Sequence, residues 1–136
     1  MDTLITGTAS GIGRATAALF LERGHCVWGL DIAEPTLEHE NYQHFICDVS
    51  DAASLPEGLE PEVVISNAGV QGTADDIAVN LHGTINVVEK YAFAGDATGG
   101  RRELGLTPAP RIRSVVCVGS ASGHTGSEFP EYAASK

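Results

Sequence analysis

TLITGTASGIGRATAALFLERG, Thr3 to Gly24, is the stretch that decides the architecture of this chain. Thr3 to Thr6 reads as a short strand, and Gly7 to Gly13 as a glycine-rich turn. From Ile12 to Arg23, apolar residues recur at 12, 15, 18, 19 and 21, the period of a helix, and Gly24 closes the segment. A strand, a glycine-rich turn and a helix in that order bring backbone amides and a helix N-terminus together. Such a site faces an anionic group such as a pyrophosphate at close range. A glycine-rich turn alone is a weak signal. The common G-x-G-x-x-G form is also absent, because Thr16 stands where its last glycine would be; the pattern present is T-G-x-x-x-G-x-G from Thr6 to Gly13.

Outward from this unit, short apolar runs alternate with amphipathic segments. Cys26 to Leu30 reads as a second strand ending at Asp31, and His44 to Cys47 as a third ending at Asp48. Val63 to Ser66 is a fourth, ending at Asn67, and Ser114 to Val118 a fifth. Between them, the sequence predicts a short helix over Glu34 to Asn41, begun by a proline, and a long one over Asp75 to Phe93. This alternation implies right-handed β-α-β units, hence an α/β fold with a doubly wound parallel sheet of about five strands. Runs such as VVIS and SVVCV, apolar at almost every position, fit a sheet covered on both faces. Gly95 to Arg113 breaks the rhythm with glycines and Thr107-Pro108-Ala109-Pro110, and reads as a loop insertion within one domain spanning 1–136.

Composition narrows the function. Eight basic against eighteen acidic side chains leave a formal net charge of −10, which argues against nucleic acid or an anionic membrane surface as partner. No apolar run approaches the ~20 residues that span a bilayer, and no signal-peptide pattern precedes the first strand, so a cytoplasmic protein is expected. Cys26, Cys47 and Cys117 each sit in an apolar run and read as buried reduced thiols. The five histidines show no ligand spacing, and no metal site is expected.

Four further motifs stand at strand ends. They are Asp31; Asp48-Val49; Asn67-Ala68-Gly69; and Ser120 followed twelve positions later by Tyr132-Ala133-Ala134-Ser135-Lys136. With the glycine octet, in this chain order, the sequence resembles the short-chain dehydrogenase/reductase family over essentially its whole length. The resemblance implies a Rossmann fold with strand order 3-2-1-4-5 and a dinucleotide held by Gly7, Ser10, Gly11, Ile12, Gly13, Asp31, Ile32, Asp48, Val49, Asn67, Ala68 and Gly69. Tyr132 and Lys136 would complete that set. It also implies catalysis by Asn80, Ser120, Tyr132 and Lys136, and a homo-oligomer formed through the long helix.

The chemistry requires these residue types. A phenol, ordinarily ionising near pH ~10, serves as acid or base near neutrality only beside a positive charge. Tyr132 and Lys136 at i and i+4 share a helix face. The resemblance gives Lys136 a second task on the nicotinamide ribose, Ser120 that of a neutral donor to the carbonyl, and Asn80 a water leading to the lysine; Ser122 is the weaker alternative to Ser120. A carboxylate at Asp31 accepts from ribose hydroxyls and repels a 2′-phosphate, so NAD is expected rather than the alternative, NADP. The expected activity is interconversion of a small-molecule alcohol and a ketone or aldehyde. The alternative is a non-catalytic dinucleotide-binding module or an inactive fragment. Two departures bear on that choice: the interval from Asp48 to Asn67 is short for the family, and the chain ends at Lys136, before the family's remaining strands and substrate-covering elements. An N-terminal portion of a longer enzyme is the expectation, with His124, Phe129 and Glu131 lining one side of the substrate pocket.

Overall fold

The computed structural model describes residues 1–93, 112 and 114–136. Five strands, β1 (Asp2–Thr6), β2 (Cys26–Asp31), β3 (Tyr42–Ile46), β4 (Val63–Ser66) and β5 (Ser114–Cys117), form one sheet in the order β3-β2-β1-β4-β5, with every pair parallel. Thr3 of the central strand pairs with Val27 on one side and Val63 on the other. The expected parallel Rossmann sheet is present, and its most deeply buried strands are the central β1 and β4.

Period-two alternation assigns β1 side chains to two cores. Leu4, with Leu30 and Val64, packs on one face with Val87 and Tyr91 of helix α2 (Gly83–Ala92). Ile5, with Val27, Val63 and Ile65, packs on the other against Ala17 and Leu21 of helix α1 (Gly11–Glu22). Burying a Leu or Val side chain contributes roughly 1.5–3 kcal/mol, so this two-sided packing dominates the cohesion of the sheet. Two short helices follow β5: α3 (Ser122–Thr125) and α4 (Pro130–Ser135).

Four expectations are corrected. Residues 34–39 form no helix; side-chain hydrogen bonds from Thr36 and Arg14 tie this segment to the glycine turn instead. An isolated helix of that length is marginal, and local polar contacts outcompete it. β3 begins at Tyr42 rather than His44, which carries the Tyr42 hydroxyl into the sheet. The segment from Asp75 to Phe93 does not start as an α-helix: Ile77–His82 is a π turn that runs into α2. Finally, only Cys47 is buried. Cys26 opens β2 at the sheet's margin and Cys117 lies on β5, the edge strand among the described residues.

The loop expected over 95–113 lies outside the described residues except for Ile112, which packs against the Leu4 core. Among the described residues, no helix is long and apolar enough to cross a membrane and no His/Cys/Asp/Glu cluster could hold a metal ion.

Candidate dinucleotide site

The site begins with packing at the end of β1. Gly7 has φ of +76° and donates its N–H to Leu30 O at 2.7 Å, folding the chain back over the sheet. Gly13 then lies so close beneath the turn that a Cβ there would stand 2.0 Å from Gly7 O and 2.6 Å from Asn67 Nδ2. Thr6 links the next loop. Its Oγ1 accepts from the amides of Asn67 and Ala68, both at 2.9 Å, while Asn67 Nδ2 donates to Thr6 O at 3.0 Å. The Asn67-Ala68-Gly69 loop is thereby fastened to the glycine turn, one Asn67 side-chain N–H being used in that fastening.

The outer wall follows the same logic. Asp31 Oδ2 accepts from Ala9 N at 2.9 Å and Oδ1 from Ala33 N at 3.0 Å. Asp48 Oδ1 accepts from the amide and hydroxyl of Ser50, at 2.9 and 2.7 Å. Val49 is buried, its carbonyl receives Asn86 Nδ2 at 3.0 Å, and its side chain fills the space left by Gly83. Beneath the turn, the Tyr42 hydroxyl is hydrogen-bonded with Thr8 Oγ1 at 3.0 Å and His44 Nδ1 at 2.8 Å, with Gly29 leaving room for it. His44 Nε2 lies 2.9 Å from Ala33 O. A carbonyl only accepts, so Nε2 is the donor in that contact. Burial raises the Tyr42 pKa, the Thr8 hydrogen bond opposes this, and the Asp31 charge adds to it.

These walls enclose a cleft of about 670 Å³. Gly7, Ser10, Gly11, Ile12, Asp31, Ile32, Asp48, Val49, Asn67, Ala68 and Gly69, expected to hold a dinucleotide, are brought together along it. Gly13 does not; it supports the turn from below. No side-chain hydrogen bond caps the α1 N-terminus at Ser10, where Gly11 and Ile12 line the cleft. Uncapped first-turn amides and the helix dipole favour an anion at that point. Cys47 also lines the cleft; burial, then the charges of Asp48 and Asp31, push its thiol up to about 11.

The four expected catalytic residues lie outside this lining. Asn80 is 3% exposed: its Oδ1 accepts from Val70 N at 2.8 Å, and its Nδ2 donates to Val70 O at 2.8 Å and to Ser135 Oγ at 2.9 Å. Lys136 Nζ donates to Val118 O at 3.4 Å, and both Nζ and Asn80 Oδ1 lie within about 3 Å of where a Gly69 Cβ would be. Asn80, Gly69 and Lys136 therefore meet. Ser120 Oγ accepts from Ser122 N at 3.2 Å, and Tyr132 is half-buried on α4.

A second cavity of about 340 Å³ lies between Gly72–Ala74 and Phe129–Glu131. Phe129 and Glu131 line it, and His124 does not. Asp76 at its base escaped the sequence reading. Burial raises its pKa, but the Thr73 and Gly72 amides and the Thr73 hydroxyl more than offset this, and it stays below the ordinary carboxylate value. Asn86 escaped it as well, although a polar residue inside an apolar helix pattern is a signal; Thr6 and Ser135 stand in the quoted motifs, but their fastening roles were not read from them.

The model of the NAD dependent epimerase/dehydratase family matches residues 3–101. The chain belongs to this family. It is similar to the short-chain dehydrogenase reductase ATA1 of Arabidopsis thaliana, 32% identical over 90% of this chain and 50% of that protein. Among solved structures it is similar to the Bordetella bronchiseptica enzyme WbmH in complex with NAD+, with 31% identity, 65% of this chain and 34% of that one covered, and a TM-score of 0.57. The aldohexose dehydrogenase of Thermoplasma acidophilum shares the fold at a TM-score of 0.73, with 24% identity over 98% of this chain and 55% of that one. The short-chain dehydrogenase/reductase resemblance is thus borne out, and NAD is the family's cofactor. The chain spans about half the length of the curated relatives it matches.

Proposed function

We propose that this chain binds NAD in the 670 Å³ cleft and forms part of an oxidoreductase that interconverts an alcohol and a ketone or aldehyde. The observation that carries this reading is the uncapped α1 N-terminus, which shares one cleft with the Asp31 and Asp48 carboxylates. The pyrophosphate fits the first and the ribose hydroxyls the second, and the volume lies within the ~300–1,000 Å³ of small-molecule sites. When bound, NAD supplies the ring that accepts or donates hydride.

The chain's own residues handle the proton and the orientation. Tyr132 Oη holds the proton given to, or taken from, the substrate oxygen, and Ser120 Oγ donates a hydrogen bond to that oxygen. The Lys136 ammonium assists the phenol. Asn80, held by Val70 and Ser135, fixes the wall against which Lys136 rests, which supports its place in this set. Leu81, Ile85 and Phe93 are exposed at four- and eight-residue spacing and support self-association through this helix. A cytoplasmic location is part of the same proposal.

Calorimetric titration with NAD, followed by an absorbance assay against a panel of secondary alcohols, tests the reading. Saturable binding with turnover supports it, and binding without turnover favours the dinucleotide-binding module. Absence of NAD binding would refute both.

A further inference from the structure

In the segment that replaces the expected helix after β2, one hydroxyl links the glycine turn to Arg14. Thr36 Oγ1 donates to Ala9 O at 2.7 Å and accepts from Arg14 Nε at 3.0 Å, while Arg14 Nη2 reaches Thr36 O at 3.4 Å. The directions are forced, because a carbonyl only accepts and a guanidinium only donates. A hydroxyl serves both partners at once, and a methyl group serves neither. The same Ala9 peptide is gripped through its N–H by Asp31 Oδ2. Arg14 is therefore joined to the ribose end of the cleft through one residue of the glycine turn, yet it does not line the cleft. Among the described residues, the cleft lining carries three carboxylates, Asp31, Asp48 and Asp75, and no Lys or Arg.

We propose that Thr36 is a specificity-determining residue: by fastening the Arg14 guanidinium outside the cleft, it leaves the ribose end to Asp31 and so favours a dinucleotide with a free 2′-hydroxyl over a 2′-phosphorylated one. The inference rests on the reading of the cleft as a dinucleotide site. A guanidinium released beside Asp31 offers a 2′-phosphate the paired donors it needs and offsets the carboxylate. Thr36 acts through Arg14 and Ala9, not by touching the cofactor. Loss of its hydroxyl therefore moves selectivity rather than merely weakening the fold.

The experiment is calorimetric titration of the protein with NAD and with NADP, read as the ratio of the two dissociation constants. Thr36→Val lowers the preference for NAD about tenfold, the scale of one charge-assisted hydrogen bond. Thr36→Ser, which keeps the hydroxyl, restores the original ratio, and Arg14→Gln combined with Thr36→Val abolishes the gain toward NADP. An unmoved ratio in Thr36→Val would overturn the inference, as would a Thr36→Ser protein that behaves like Thr36→Val or a gain that survives loss of Arg14. Absence of NAD binding by the unsubstituted protein would overturn the reading of the cleft and this inference with it.

Discussion

Gly13→Ala tests whether the glycine turn depends on close packing or only on backbone freedom. The added Cβ would meet Gly7 O at 2.0 Å, Asn67 Nδ2 at 2.6 Å and Gly7 C at 2.7 Å. Tight carbon–oxygen contacts begin at about 3.3 Å, so the amino end of α1 must retreat from the turn by about 1.3 Å. Overpacking of this kind costs about 1–3 kcal/mol, and alanine in a helix returns about 1 kcal/mol, leaving a net loss of about 0–2 kcal/mol. At ~4 °C per kcal/mol for a chain of this size, Tm falls by up to about 8 °C. NAD affinity falls as well, because the same retreat displaces the first-turn amides of α1 that face the cleft. Gly24→Ala is the control: Gly24 has φ of +75° but nothing within 4 Å of an added Cβ. It should lower stability by the cost of a left-handed alanine, ~1–2 kcal/mol, and leave the Kd for NAD unchanged. Melting curves and calorimetry read both variants. A Gly13→Ala protein with the original NAD affinity would refute the argument, whatever its Tm.

In the catalytically active protein, Tyr132→Phe should lower kcat by at least ~10²-fold while sparing NAD affinity, and Lys136→Met should impair both; wild-type turnover by Tyr132→Phe would sink the acid–base assignment. Iodoacetamide at pH 8 should label Cys26 and Cys117 in the folded protein, and Cys47 only after denaturation, because Cys47 is buried and its thiol is pushed up to about 11. Intact mass counts the adducts, and three on the native protein would contradict the buried position. Asp76 has a folded pKa below its unfolded value, so its contribution is complete above pH ~4 and fades as the pH falls through the lowered folded value. The stability gap between the unsubstituted protein and Asp76→Asn should therefore be full at neutral pH and narrow below pH ~4 in denaturant titrations. A gap independent of pH would show that the carboxylate charge plays no part.

The features read correctly from the sequence are those whose physics is local. Leu4 and Ile5 had to alternate between two cores, Gly7 had to turn the chain, and Asp31, Asp48 and Asn67 each follow an apolar run directly. These positions fix the cleft because every strand of a parallel sheet ends on the same side. Part of what escaped depends on partners far apart in the chain. Glu34 to Asn41 shows a plausible short helix, and nothing in those residues announces that Thr36 will bond to Ala9, twenty-seven positions earlier. Asp76 was given no role from the sequence, yet it is 1% exposed beneath Gly72 and Thr73, whose turn forms only three and four positions away. Cys117 sits in a run that suits an interior strand, but its exposure is decided by what lies beside β5.

The π turn at Ile77–His82 sets which kinds of change the site can absorb. Such a turn is a helix carrying one surplus residue. Upstream of it, Asp76 bonds to Gly72 and Thr73; within it, Asn80 meets Val70 and Ser135; beyond it, Val87 and Tyr91 fill the core over β4. Removing a residue other than Asn80 between 77 and 82 would take away the surplus and leave a regular helix whose two flanks keep their relative phase. Removing one between 83 and 87, where the helix is regular, would turn the flanks against each other by about 100° and cost either the Asn80 contacts or the Val87 packing. Length in that regular turn is under stricter constraint than side-chain identity at exposed positions such as Leu81 and His82. The opposite holds for Ala33 to Glu40, an exposed connection that can absorb insertions so long as a hydroxyl still reaches Ala9 O.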